Sequence, residues 1–277
     1  MNHSLHPAAV TLFSISLAHA GSVRTEPQVE SLRLDPAMLA ALHIDSPNGT
    51  VEFTGTSDPT AQPTVTATKR GSGASAATAQ AALQAIEVFA ESDGKGGQRI
   101  GWRWKGRKPL GSSAEVDFAI SAPANTPLEV DAANGKVTVS AAAGEVQIKS
   151  GNGDVVVDSR GQRLDVEAHN GAIAAQHDGG DFRLVTHNGG VKAGLAGTSA
   201  IAGIVESHNG EIEVALDKSA SSEISCETHN GQVHFELPVE ATSKSHGKVR
   251  AKLGSGAGKL ALSTHNGDIR VRAVGGL

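Results

Sequence analysis

Residues 148–157 (IKSGNGDVVV), 166–175 (VEAHNGAIAA) and 184–193 (LVTHNGGVKA) are three copies of one pattern. In each, an apolar residue sits three places before the residue that precedes Asn-Gly. β-Branched residues, Val155, Ile173 and Val191, sit four places after it, and Val157, Ala175 and Ala193 six places after it. β-Branching favours strands, and the period of two puts these positions on one face. Asn-Gly supplies the turn, because glycine takes positive φ freely. The pattern spreads in both directions. Asn-Gly recurs at Asn134, Asn152, Asn170, Asn188, Asn209, Asn230 and Asn266, at spacings of 18, 18, 18, 21, 21 and 36 residues. The last spacing is twice 18, and His246-Gly247 within it reads as the same turn without its Asn. A fixed period of this kind indicates a solenoid. The expected fold is all-β: a parallel β-solenoid with two short strands and about 18 residues per coil, stacked at about 4.8 Å.

Outward positions support in-register stacking. Glu145, Arg163 and Asp181 form a column of alternating sign, and Asp165 falls beside Arg183, Lys149 beside Glu167, and Lys136 beside Asp154. Lys192, Glu213 and His234 form a similar column across the 21-residue steps. Opposite charges facing one another contribute about 0.2–1 kcal/mol each, and like charges oppose. Left-handed hexapeptide helices share the coil length but need a six-residue beat, where this chain has nine. A calcium-binding nonapeptide roll needs a recurring Asp, which residues 150–158 (SGNGDVVVD) do not repeat.

Composition agrees. Of 277 residues, 33 are Gly, 6 Phe, 2 Trp and none Tyr, which suits a narrow core better than one packed with rings. The net charge of −5 is too mild for nucleic acid or a polybasic membrane anchor. A single Cys excludes an intrachain disulfide and a Cys-based metal site. Residues 1–20 read as a signal peptide: residues 7–18 (PAAVTLFSISLA) are apolar but too short to span a bilayer, and Ala18-His19-Ala20 precedes Gly21 as a cleavage site. This implies export to the periplasm or cell surface, with no transmembrane segment. Residues 21–113 read as an N-terminal cap with the first irregular coils, with strands at 64–69 and 86–90 and a short helix or loop at 75–85. Residues 114–277 read as the regular solenoid.

Residues 114–139 (AEVDFAISAPANTPLEVDAANGKVTV), the recurring S/T-x-N-G-x-[VI]-x-V turns, and residues 47–55 (PNGTVEFTG) as an opening strand resemble the exported bacterial β-strand-repeat family of adhesin-like proteins, whose function is unknown. The resemblance spans most of residues 29–277. It implies a single-stranded right-handed parallel β-helix and brings no catalytic residues or cofactor. The His in most turns departs from the small polar residue usual there.

Several residues qualify for chemistry. His169, His187, His208, His229, His246 and His265 hold the same turn position and face outward. Neighbouring imidazoles could share a zinc or copper ion, with Glu167, Glu206 and Glu227 two residues before three of them; the alternatives are simple stacking or a surface that loses stability on acidification. Residues 99–108 (RIGWRWKGRK) place Trp102 and Trp104 on one face and Arg103 and Lys105 on the other. With Arg107, these residues could contact a glycan or polyanion, or form a capping strand with the Trp packed inward. His177, Asp178 and Asp181 resemble an acid–base or metal cluster, but Arg160 and Arg163 lie 18 residues earlier and point to ion pairing. Cys226 occupies an inward slot. The reading overall is a non-enzymatic binding or scaffold surface for an envelope protein or extended polysaccharide. A carbohydrate-active β-helix enzyme and an envelope metal binder are the alternatives.

Overall fold

The structure is a computed structural model that describes residues 22–196, 200–245 and 247–274. The expected signal peptide and His246 lie outside the described residues. Among the described residues the chain is all-β apart from one helix, Ala76–Gln84, and forms two 12-stranded sheets whose inward side chains make a single core. Through the repeat the strands are parallel and in register. Val137, Val155, Ile173, Val191 and Ile212 lie side by side in the first sheet, each no more than 1% exposed. Val130, Ile148, Val166, Leu184 and Val205 do the same in the second. Burial of each such side chain stabilises by about 1.5–3 kcal/mol.

The outward columns fall where the spacing puts them. Arg163 pairs with Asp181 in register, and Asp165 with Arg183. Arg183 lies 3.3 Å from Asp165, whereas Arg163 turns to Glu145 at 3.5 Å and Asp165 at 3.7 Å. Being half exposed, these pairs contribute only about 0–1 kcal/mol each.

The first rung, Leu42–Ser46 and Val51–Thr56, lies within the segment expected to be the cap and stacks directly on Leu128–Asn134 and Val137–Ala142. The residues between fold over the end of the stack. Ser112–Pro123 pairs with Val51–Thr56 and, antiparallel, with Thr64–Gly73, while Gln98–Trp104 and Ile86–Ser92 extend the second sheet. Ser75 caps the helix by accepting from the Thr78 N–H. Covered ends of this kind protect unpaired strand edges.

The C-terminal end corrects the sequence reading. Among its described residues the 36-residue gap holds no second regular coil. Glu240–Ser245 and Lys248–Leu253 form an antiparallel hairpin on the edge of the second sheet. Glu240–Ser245 (EATSKS) is exposed throughout, having no apolar set to turn inward. The last rung, Gly258–Asn266 and Ile269–Ala273, then inserts between its two predecessors: Gly203–Asn209 pairs with Gly258–Asn266, which pairs with Ser222–Asn230. Burial explains the order. Leu260, Leu262, Ile269 and Val271 are all at most 1% exposed, whereas Val233 and Phe235 stay half-buried on the outermost rung. Glu213 consequently faces Arg270 and bonds Arg272 at 2.6 Å, and His234 lies one rung further out.

The Asn-Gly turns form a continuous column. Side-chain amides link Asn48, Asn134, Asn152, Asn170, Asn188, Asn209, Asn266 and Asn230 in that order, at 2.7–3.0 Å. Asn266 takes the place expected for Asn230. The preceding Ser or Thr hydroxyls are buried and donate to turn carbonyls, as Thr186 does to Gly171 and Ser207 to Gly189, both at 2.9 Å. Glycine is required here by proximity: a Cβ at Gly171 would lie 2.1 Å from the Gly153 carbonyl oxygen.

Candidate functional site

One residue before each Asn, the strands of the second sheet turn a side chain outward. Because the strands are in register, five imidazoles stack. The ring centroids run His169–His187 5.1 Å, His187–His208 4.8 Å, His208–His265 5.0 Å and His265–His229 4.8 Å, with planes within 1–6° of parallel. Two residues earlier runs a second outward column of Glu167, Val185, Glu206, Ser263 and Glu227. Glu227 is held by Lys248 at 2.6 Å, and Glu167 lies 3.8 Å from Arg183. Both columns line a groove of about 1280 Å³ along the second sheet, which ends against Phe89, Arg99 and Arg103.

The stack decides what the rings can do. Ring nitrogen lone pairs lie in the ring plane, so parallel rings nearly 5 Å apart aim them in parallel. As stacked, the ladder offers a metal one nitrogen at a time, whereas a shared zinc needs two at about 2.0–2.1 Å. Among the described residues no group of three or more His, Cys, Asp or Glu is placed to hold a metal ion. Rings that share an ion must first leave the stack.

The basic, Trp-containing segment is only partly in the groove. Trp102 is 6% exposed and Trp104 packs against the core, edge to face with Trp102 at 5.6 Å. Trp102 is thus mostly withdrawn into the core end of the groove it lines, as a capping strand requires, while Trp104 keeps part of its surface exposed. The narrow core takes the Trp102 indole to close its end, with Trp104 packed against it. Arg103 lines the groove but is engaged by Glu87 and Glu91, each at 2.9 Å, which hold its guanidinium in the charged form. Lys105 and Arg107 lie exposed in the loop beyond the strand.

The other candidates are dispersed. His177 points into the core at 4% exposure, in line with Ser159, Leu195 and Leu216 of neighbouring rungs. Its Nε2 lies 3.2 Å from the Gly180 carbonyl, and burial lowers its pKa. Asp181 begins a strand of the opposite sheet, so the two form no cluster. Cys226 is 1% exposed, and burial pushes its thiol up to about 12, which leaves it protonated and inert.

Both columns and all the Asn-Gly turns but the first fall between residues 111 and 272, and those residues match the Toastrack DUF4097 family model over more than half of the chain. The chain belongs to the Toastrack DUF4097 family. No curated protein matches it. It is similar to a solved putative cell adhesion protein from Clostridium sporogenes (11% identity, TM-score 0.39, covering 90% of this chain and 100% of that one). It is also similar to a putative adhesin from Bacteroides fragilis (10% identity, TM-score 0.41, 89% and 97%). Among the described residues of this Toastrack chain no helix is long and apolar enough to cross a membrane.

Sequence reasoning missed the far wall of the Toastrack groove. Phe89 turns outward over Gly101, and the Arg103 guanidinium lies 4.7 Å from its ring centroid. The signal was available in the alternation of residues 86–90, which sets Phe89 opposite Ile86 and Val88. It also missed Asp45 and Asp131, which line the same end.

Proposed function

We propose that this chain is an exported, non-enzymatic β-solenoid, right-handed and with about 18 residues per coil, that holds an extended partner along the groove of its second sheet. The observation that carries this reading is the groove itself. It crosses successive parallel rungs and presents the same two columns, imidazole and mostly carboxylate, at each step. A repeating surface suits a repeating or extended ligand, an envelope polysaccharide or a strand of an envelope protein. The carboxylates and cations of the groove are largely engaged with one another, as in Glu227–Lys248 and Arg103–Glu91, which favours binding over acid–base chemistry. The apolar run at residues 7–18 and the Ala18-His19-Ala20 ending support export.

Labelled polysaccharide prepared from the producing cell's envelope tests the reading. Wild type and Lys192→Ala, on the other sheet, are expected to bind alike. The double variant Glu206→Ala/His208→Ala is expected to lose about tenfold or more in affinity. Equal binding by all three would overturn the groove as the contact surface. Export is checked separately by the mature N-terminus, expected at Gly21.

A further inference from the structure

The imidazole ladder stops before the sheet does. In register with His169, the next rungs carry Gly151, then Ala133, then Pro47. His187 covers one face of His169. The other looks across Gly151, which has no side chain, and Ala133, which has only a methyl. The far wall is the Phe89–Arg103 pair. At about 4.8 Å per rung, the two small residues leave the thickness of two rings unfilled. A histidine could not simply have stood at Gly151, since a Cβ there would lie 2.6 Å from the Ala133 carbonyl oxygen.

The charges around this gap differ in how firmly they are held. Asp45 is taken by Arg99, and Glu91 by Arg103. Asp131 stands two residues before Ala133 on the same outward face, beside Lys149 of the next rung, and among the described residues it forms no salt bridge. Partial burial raises its carboxyl above the usual range. Glu129 and Asp45 add to this, against Lys149 and Arg99. A flat cation placed there would gain a ring to stack on and a carboxylate to neutralise.

We propose that this gap is a binding site for a planar nitrogen heterocycle carrying a donor N–H or a positive charge, stacked on the free face of His169 above Gly151 and Ala133 and directed to the Asp131 carboxylate. The site is independent of what occupies the rest of the groove.

The test uses the full chain, labelled with ¹³C and ¹⁵N on histidine, and follows the His169 ring resonances near neutral pH. Three probes are compared: histamine, butylamine as charge without a ring, and benzoate as a ring of opposite charge. Histamine is expected to shift His169 saturably, with butylamine and benzoate at least about tenfold weaker. Asp131→Asn should weaken histamine about fivefold or more. Ala133→Trp, an exposed substitution that fills the gap, should abolish the shift while leaving the melting temperature nearly unchanged. Absence of a saturable His169 shift, benzoate binding as well as histamine, or histamine binding undiminished in Ala133→Trp would each overturn the proposal. If Ala133→Trp proves unstable, Asp131→Asn alone decides: unchanged affinity refutes it.

Discussion

At the residue scale, the turn column sets the tightest limits. Gly171→Ala forces a methyl against the backbone carbonyl of Gly153, where no side chain can yield, and is expected to cost about 2–3 kcal/mol in urea unfolding. Asn188→Ala removes the bonds to Asn170 and Asn209, at 2.8 and 2.9 Å, for an expected loss of about 1–2 kcal/mol. Lys192→Ala touches only an exposed pair with Glu213 and should stay within about 0.5 kcal/mol. Equal melting temperatures for those two variants would remove the amide ladder as a source of stability. His177 governs an acid response. The unfolded chain takes up its proton near 6.5 and the folded chain only at lower pH, because burial disfavours the imidazolium. Its contribution is therefore complete above about 6.5 and declines as pH falls below that value. His177→Leu, matching Leu195 and Leu216 in the same column, should flatten melting temperature against pH between about 7 and 5 relative to wild type. Zinc calorimetry asks whether the outer imidazoles leave their stack. The parallel geometry predicts no saturable heat, and heat lost in His187→Ala/His208→Ala would show that the rings turn. The imidazole column was legible from spacing alone, because a period fixes a neighbour. At the groove's far wall alternation marks Phe89 as outward but not its neighbours, because Arg103 finds Glu87 and Glu91 through a pairing inside the irregular cap that no period announces.

At the element scale, the order of the rungs departs from the order of the chain. Ile204 faces Ala261, and Ala261 faces Ser225, so Ile204 and Ser225 are two rungs apart. Neighbouring strands bring Cα atoms within disulfide range, and a two-rung separation of about 9.6 Å does not. Ile204→Cys/Ala261→Cys is expected to oxidise to a disulfide and Ile204→Cys/Ser225→Cys to keep free thiols, read by thiol titration, with buried Cys226 silent in both. The reverse result would restore sequential stacking. This is also where the sequence stopped being legible. Adjacency followed from the repeat through Asn209, since each rung had only its successor to meet. Beyond it, two rungs carried equally good signatures. The choice fell to their apolar content, with Ile269 and Val271 inside and Val233 and Phe235 outside, and to a hairpin at Glu240–Leu253 whose polar strand cannot line a core.

At the scale of the whole molecule, one core runs unbroken from the cap to the outermost rung, so loss of an interior rung should be felt at both its faces. Deleting residues from 258 onward strips Leu262 from Cys226 and Ile269 from Ile212. The truncated chain is expected to expose Cys226 to thiol reagents and to bind a hydrophobic dye, and a silent Cys226 would show that the two flanking rungs simply close together. The inserted rung carries a further consequence, for the timing of assembly. It is synthesised after both of its neighbours, so a nascent chain emerging from the ribosome can lay down rungs in sequence only as far as Leu216. The segment from Ser222 to Glu236 must then wait, or dock provisionally against the wrong partner and be displaced. Completion is an interleaving step and not an addition at the growing end, and residues 258–273 act as a bolt that slides home once its socket already exists.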